Sequence, residues 1–231
     1  MIPPLRPIAS LLAAFAVLGG AVSAQDAAEG PKTKLRILAL PPKTEHAKMF
    51  LLQDNTEAIP LEPTSSRLAG PYETRNSGRW RFAETAGAGG EQDAAPRLLA
   101  SCKATVARDQ LAVLVKKPDG SSEYGAFAVD LDRASLDQRQ FLIVNLSPGE
   151  LACEVGGKKL ALKPGAPVVV TPKADQGGDL CQAAFYMRKG GAWHPFFSTT
   201  WPLRDKVRGL VFLYQDQAGG EIRLHAISDF L

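Results

Sequence analysis

The sequence predicts an all-β protein arranged as two tandem antiparallel β-sandwiches. Three observations carry that reading. The 231 residues include 21 Gly and 17 Pro, a load of turn residues that argues against a helical bundle. Short apolar runs recur along the chain with turn residues between them, the pattern of a sandwich rather than of long helices. The runs pause once, over residues 131–138, and then restart, leaving two stretches of about a hundred residues, each near the usual size for one hydrophobic core. No residue-by-residue repeat relates the two halves, so one large β domain is the alternative.

The first residues read as a secretory signal. Arg6 supplies a positive start, the run from Ile8 to Gly20 is apolar, and Val22, Ser23 and Ala24 put small residues before Gln25, as a cleavage site requires. The run is shorter than the roughly 20 apolar residues that span a bilayer. A signal peptide over residues 1–24 is therefore expected, with an uncleaved anchor as the alternative and no membrane span left after cleavage. Residues 25–33 are small and polar and suit a flexible leader. The mature protein is then expected in the periplasm or outside the cell.

The first sandwich is expected over residues 34–130. Its apolar runs are KLRILAL at 34–40, AKMFLLQ at 47–53, EAIPLE at 57–62, GRWRFAE at 78–84, RLLASCKATVA at 97–107, QLAVLVKK at 110–117 and EYGAFAVDL at 123–131. In GRWRFAE, Trp80 and Phe82 alternate with Arg79 and Arg81, so one face is apolar and the other charged. TAGAGGEQDAAP at 85–96 reads as a mobile loop. LDRASLDQ at 131–138 is a connector, long enough for one helical turn.

The second sandwich is expected over residues 139–231. Eight runs are readable: RQFLIVNL, LACEV, KKLAL, APVVVT, LCQAAFYM, AWHPFFSTTW, KVRGLVFLY and EIRLHAI. Gly156 and Gly157 alone separate the second and third, which predicts a tight hairpin. Lys163, Pro164 and Gly165 make another turn, and Ala218, Gly219 and Gly220 the last. KVRGLVFLY is apolar on both faces, with Val207, Val211 and Leu213 on one and Leu210, Phe212 and Tyr214 on the other. A strand wet on one side would alternate, so its second face is expected to lie against the first sandwich.

Charge excludes several functions. Net charge is +3, and loss of residues 1–24 removes only Arg6, leaving +2. Neither half is a basic module, so no nucleic-acid partner is expected. There is no G-x-S-x-G, H-E-x-x-H, P-loop or G-x-G-x-x-G. No catalytic residue and no cofactor are assigned, and a non-enzymatic binding or structural element of the cell envelope, with an unknown protein or glycan as partner, is the leading expectation.

A few residues remain candidates for chemistry. Trp193, His194 and Trp201 fall within WHPFFSTTW, where exposed aromatics would offer a platform to a sugar ring or a peptide. Core filling is the competing role. A hydrolase built around His194 or His225 needs a carboxylate beside an imidazole. His46 and Met49 have the spacing of soft-metal ligands, although no metal site is assigned. Asp130 and Asp132 share a strand face but sit in a charged connector, which favours a solvated linker. Three cysteines leave at least one unpaired. Cys153 with Cys181 is the candidate disulfide, and three buried free thiols are the alternative.

FLIVNLSPGELACEVGGKKLALKPGAPV, residues 141–168, resembles the opening of uncharacterised secreted bacterial modules. The shared elements are the strand end Asn145, Leu146, Ser147, Pro148 and the turn Leu162, Lys163, Pro164, Gly165. WPLRDKVRGLVFLY and IRLHAISDF look like parts of the same kind of protein. The resemblance implies an immunoglobulin-like sandwich in an exported protein and attaches no activity to it.

Overall fold

The structure is a computed structural model that describes residues 30–53, 57–86, 95–117, 119, 121–132, 135–174, 178–216 and 220–231. The expected signal peptide, most of the leader, most of the loop at 85–96 and part of the last turn lie outside the described residues.

Among the described residues there are sixteen strands and no helix. The first half holds β1 (Lys32–Leu40), β2 (Met49–Leu52), β3 (Ile59–Leu61), β4 (Ala69–Arg75), β5 (Arg79–Ala83), β6 (Leu98–Lys103), β7 (Asp109–Lys116) and β8 (Tyr124–Asp130). The second holds β9 (Phe141–Asn145), β10 (Leu151–Val155), β11 (Lys158–Leu162), β12 (Pro167–Val170), β13 (Leu180–Lys189), β14 (Ala192–Pro202), β15 (Val207–Gln215) and β16 (Ile222–Phe230). No helix among these residues is long and apolar enough to cross a membrane.

Each half is a sandwich of two four-stranded sheets. The first half has the orders β4-β1-β7-β8 and β3-β2-β5-β6, the second β12-β9-β15-β16 and β11-β10-β13-β14. Adding eight to each strand of the first pair of sheets yields the second pair. The halves are thus one topology used twice, although their residues do not repeat. Pairing is antiparallel except at β1–β7 and β9–β15, which run parallel. That refines the purely antiparallel expectation. The first strand lies beside the seventh, not the second, so the order is not that of the sheets of an immunoglobulin constant domain.

Burial explains why the four parallel-paired strands read as continuous apolar runs. On β1 and β7, Leu35, Ile37, Ala112 and Leu114 point into the first core, beside Trp80 and Phe82. Their other faces, Leu38, Leu40, Leu111 and Val113, meet Leu142, Val144, Leu210 and Phe212 from β9 and β15 in a cluster shared by both sandwiches. The second face of β15 is therefore covered by the first half, as its sequence requires. Inside the second sandwich, Phe141, Ile143, Cys153, Phe185, Trp201 and Val211 are among the packed residues.

A chain of charges fastens the halves together. Arg208 is 2% exposed; its Nε donates to Asp229 Oδ2 at 2.8 Å, and its Nη1 donates to the carbonyls of Leu131 and Leu136. Arg36 bridges Asp229 at 3.2 Å and Asp109 at 3.3 Å. Burial pushes the Asp109 carboxyl above its usual range, and Arg36 works against that shift. The connector between the halves is ordered where it is described. Ser135 and Leu136 N–H groups both donate to the Asp132 carbonyl, a single turn, and Leu131 and Leu136 are buried.

Several local expectations change. β1 begins at Lys32, so the end of the expected leader is strand, with Thr33 buried. β4 was hidden by Gly70, Pro71 and its polar end; an edge strand tolerates proline because one side of its backbone is unpaired. Asp130 and Asp132 are not a solvated linker pair. Asp132 accepts the Arg108 and Asp109 N–H groups, while Asp130 accepts the Asp132 N–H and the Ser135 hydroxyl. Asn145, the start of the N-L-S-P motif, is fully buried and structural. Its Nδ2 donates to the carbonyls of Gly149 and Leu162, and its Oδ1 accepts from Ser147 N–H and Oγ.

The Cys153–Cys181 disulfide does not form: all three cysteines are buried free thiols. Cys153 faces Phe185 across the β10–β13 pair. Cys181 lies four residues before Phe185 on that strand, about 13 to 14 Å away at the usual rise, whereas a bridge needs Cα atoms within about 7 Å. Burial pushes the thiols of Cys102 and Cys153 up to about 12, so neither is a thiolate near neutrality. A thiol reagent is expected to leave the native protein unlabelled and to titrate all three cysteines once it is unfolded. Reductant is expected to leave the melting temperature unchanged, and a drop on reduction would refute the free-thiol assignment.

Candidate functional site

The β10–β11 hairpin turns through Gly156 and Gly157, both at positive φ. A two-residue turn fixes the register, and it sets Ala152 opposite Ala161 and Glu154 opposite Lys159. The next strand adds Tyr186 beside Ala152 and Ala184 beside Glu154. Successive side chains alternate between faces, so these residues all stand on the outer face of sheet β11-β10-β13-β14. Three alanines make a low floor.

β13 and β14 then continue past the last β10 pair, Leu151–Met187, as a two-stranded arm closed by Gly190 and Gly191. Trp193 sits on this arm opposite Arg188, whose guanidinium carbon lies 6.0 Å from the indole centroid. Arg188 also reaches Glu150 at 3.8 Å. Together Tyr186, Trp193, Glu154 and Lys159 wall a depression of about 440 Å³ over Ala152 and Ala161. The tryptophan stands 44% exposed, against 1% for Trp80 and 9% for Trp201.

The three residues singled out in WHPFFSTTW do not converge. Trp193 faces the depression. His194 is exposed on the opposite face of the arm, across from Met187. Trp201 is a core residue, contrary to its expected ligand role: its ring stacks on Phe141 with centroids 4.8 Å apart and tilts against Phe185 at 5.7 Å. Core filling prevails there because Trp201 pairs with Cys181, an inward position, whereas Trp193, eight residues earlier, pairs with the outward Arg188 because the bulge at Phe185/Tyr186 inverts the alternation between them.

The other candidate groups are likewise apart. Met49 is packed into the first core, while His46 is half-buried with Nε2 3.2 Å from the Pro41 carbonyl. Among the described residues no group of three metal-binding side chains occurs. His225 lies at the junction of the halves, Nε2 2.7 Å from the Ser65 carbonyl. Burial lowers its pKa, and the Ser65 carbonyl acts in the opposite direction. Among the described residues no carboxylate forms an ion pair with His194 or His225, so no acid–base couple is assembled there. No protein-family model matches this chain, and no curated protein matches it.

Proposed function

We propose that the protein is an exported, non-catalytic binding element of the cell envelope, and that it holds a neutral saccharide in the depression beside Trp193. The single observation carrying this reading is an exposed indole standing over a floor of alanines, next to Tyr186. Flat aromatic faces stack on the apolar face of a sugar ring, and low side chains let the ring approach. Glu154 and Lys159 oppose each other directly, so their charges cancel while their oxygens and N–H groups remain free to bond hydroxyls. That favours an uncharged, hydroxyl-rich ligand over an anion. The apolar N-terminal run supports export, and the small net charge offers no attraction to polyanions.

Trp193 is the one tryptophan that lines the depression, while Trp80 and Trp201 are buried, so a ligand seated there changes the emission chiefly through Trp193. The chain lacking residues 1–24, titrated with chitotetraose, cellotetraose and maltotetraose, is expected to show a saturable emission shift with one of them. By calorimetric titration with the same sugar, Trp193→Ala is expected to abolish binding while changing stability by no more than about 0.5 kcal/mol, as for other surface substitutions. Saccharide binding that survives Trp193→Ala, or none with any of the three sugars, refutes the reading.

A further inference from the structure

The shared topology makes the first sandwich an internal reference for the second. In the first, β6 lies against β8 and shuts one side of the sandwich. Inward positions there are covered, as at Tyr124, Ala100 and Cys102. Their counterparts β14 and β16 make no comparable contact. Phe197, opposite the core residue Phe185, is 39% exposed, and on β16 Ala226 and Ser228 are exposed although they pair with the inward Val211 and Gly209. Phe230, on the same face, is 73% exposed. The second sandwich stands open on this side.

β14 is also an edge strand, last in its sheet. Edge strands are usually blunted by charge, proline or bulges. Every other edge strand here longer than four residues carries a charged residue, but the eleven residues of β14 carry none. Its safeguards are Pro195, the bulge at Phe196 and Pro202, which leave Phe197–Trp201 unguarded. Behind this stretch a crevice of about 90 Å³ runs between Phe141, Trp201, Gly209, Val211 and Ala226. It is larger than a water site and smaller than the roughly 150 Å³ apolar cavity that accepts benzene, which suits one aliphatic side chain. Gly209 keeps it shaped, since a Cβ there would lie 2.1 Å from Phe141 Cδ1. Arg204 stands at the rim, exposed and without an ion pair among the described residues, whereas the neighbouring Arg139 is engaged by Asp179 and Asp205.

We propose that the open side of the second sandwich accepts an extended segment of a partner polypeptide, which adds to β14 along Phe197–Trp201, seats an aliphatic side chain in the crevice and sets an acidic residue against Arg204. Strand addition of this kind draws affinity from main-chain hydrogen bonds and specificity from side-chain pockets. A second copy offering its own β14 fits poorly: that strand has neither a carboxylate for Arg204 nor a branched aliphatic side chain, and its Trp201 is already stacked in the core. This site is separate from the depression at Trp193 and does not depend on the saccharide reading.

The test is selection of randomised nonapeptides displayed on phage against the chain lacking residues 1–24, followed by anisotropy with the enriched peptide carrying fluorescein. Enriched sequences are expected to share β-branched residues, one aliphatic anchor and a nearby acid. Isotope-edited infrared spectra of the ¹³C-labelled peptide are expected to report a bound strand. Ala226→Leu, which fills the crevice from an exposed position, and Arg204→Glu are each expected to weaken binding by about tenfold or more, and Trp193→Ala to leave it unchanged. No enriched peptide, equal binding to Ala226→Leu, or a disordered bound peptide overturns the proposal. So does a concentration-dependent dimer in sedimentation that Ala226→Leu abolishes, because the occupant would then be a second copy.

Discussion

Replacing Arg208 with alanine is expected to cost the fold about 3 kcal/mol, the low end of the roughly 3–5 kcal/mol typical when one partner of a buried ion pair is removed. Three acceptors lose their donor at once: Asp229, and the carbonyls of Leu131 and Leu136. The low end applies because Asp229 keeps Arg36 at 3.2 Å. The loss is read from urea unfolding at neutral pH. A second variant separates charge from packing: Arg208→Met with Asp229→Leu removes both charges and keeps volume, and buried pairs replaced in this way are often neutral. The double variant is therefore expected to be more stable than Arg208→Ala alone. A cost below about 1 kcal/mol for Arg208→Ala would place the arginine among weak surface pairs and remove it as a fastening between the halves.

Gln110→Leu is expected to be of similar severity in the first sandwich. The side chain is fully buried on β7 and every one of its bonding positions is used. Oε1 accepts from Trp80 Nε1 and from Thr105 N–H, both at 3.0 Å, and Nε2 donates to the carbonyls of Thr105 and Ala107. Each buried group left unsatisfied costs about 1–3 kcal/mol, so a loss on the order of 3 kcal/mol is expected. Trp80→Phe is the milder control, since Oε1 keeps the Thr105 donor. If thermal melting gives Gln110→Leu and Trp80→Phe equal stability, the loop over Thr105–Ala107 is not held by this residue.

The strands were legible where periodicity was strong. All eight runs of the second half are strands, and the doubly apolar KVRGLVFLY announced the contact between halves. What failed was information held in register. Gly156–Gly157 implies that Val155 pairs with Lys158, from which Ala152 opposite Ala161 and Glu154 opposite Lys159 follow by counting; the floor and the charged wall of the depression were within reach of the sequence. The place of Tyr186 was not, because it depends on how β13 aligns with β10. Trp193 and Trp201 look equivalent as letters in WHPFFSTTW. They part because of a bulge between them, and a bulge leaves no reliable trace in composition. The Cys153–Cys181 pairing failed likewise: both lie on inward strand positions, and only register reveals that they are four residues out of step.

The double use of one topology bears on what would happen if the halves were separated. Each would present a bare oily wall built from its first and seventh strands, far larger than a scattered nonpolar surface residue. The two walls come from corresponding strands in the same order, so a lone half would meet a like half much as it now meets its neighbour. The tether that joins them thus does more than hold two bodies near each other: it makes the unlike pairing an internal event and keeps the like pairing rare.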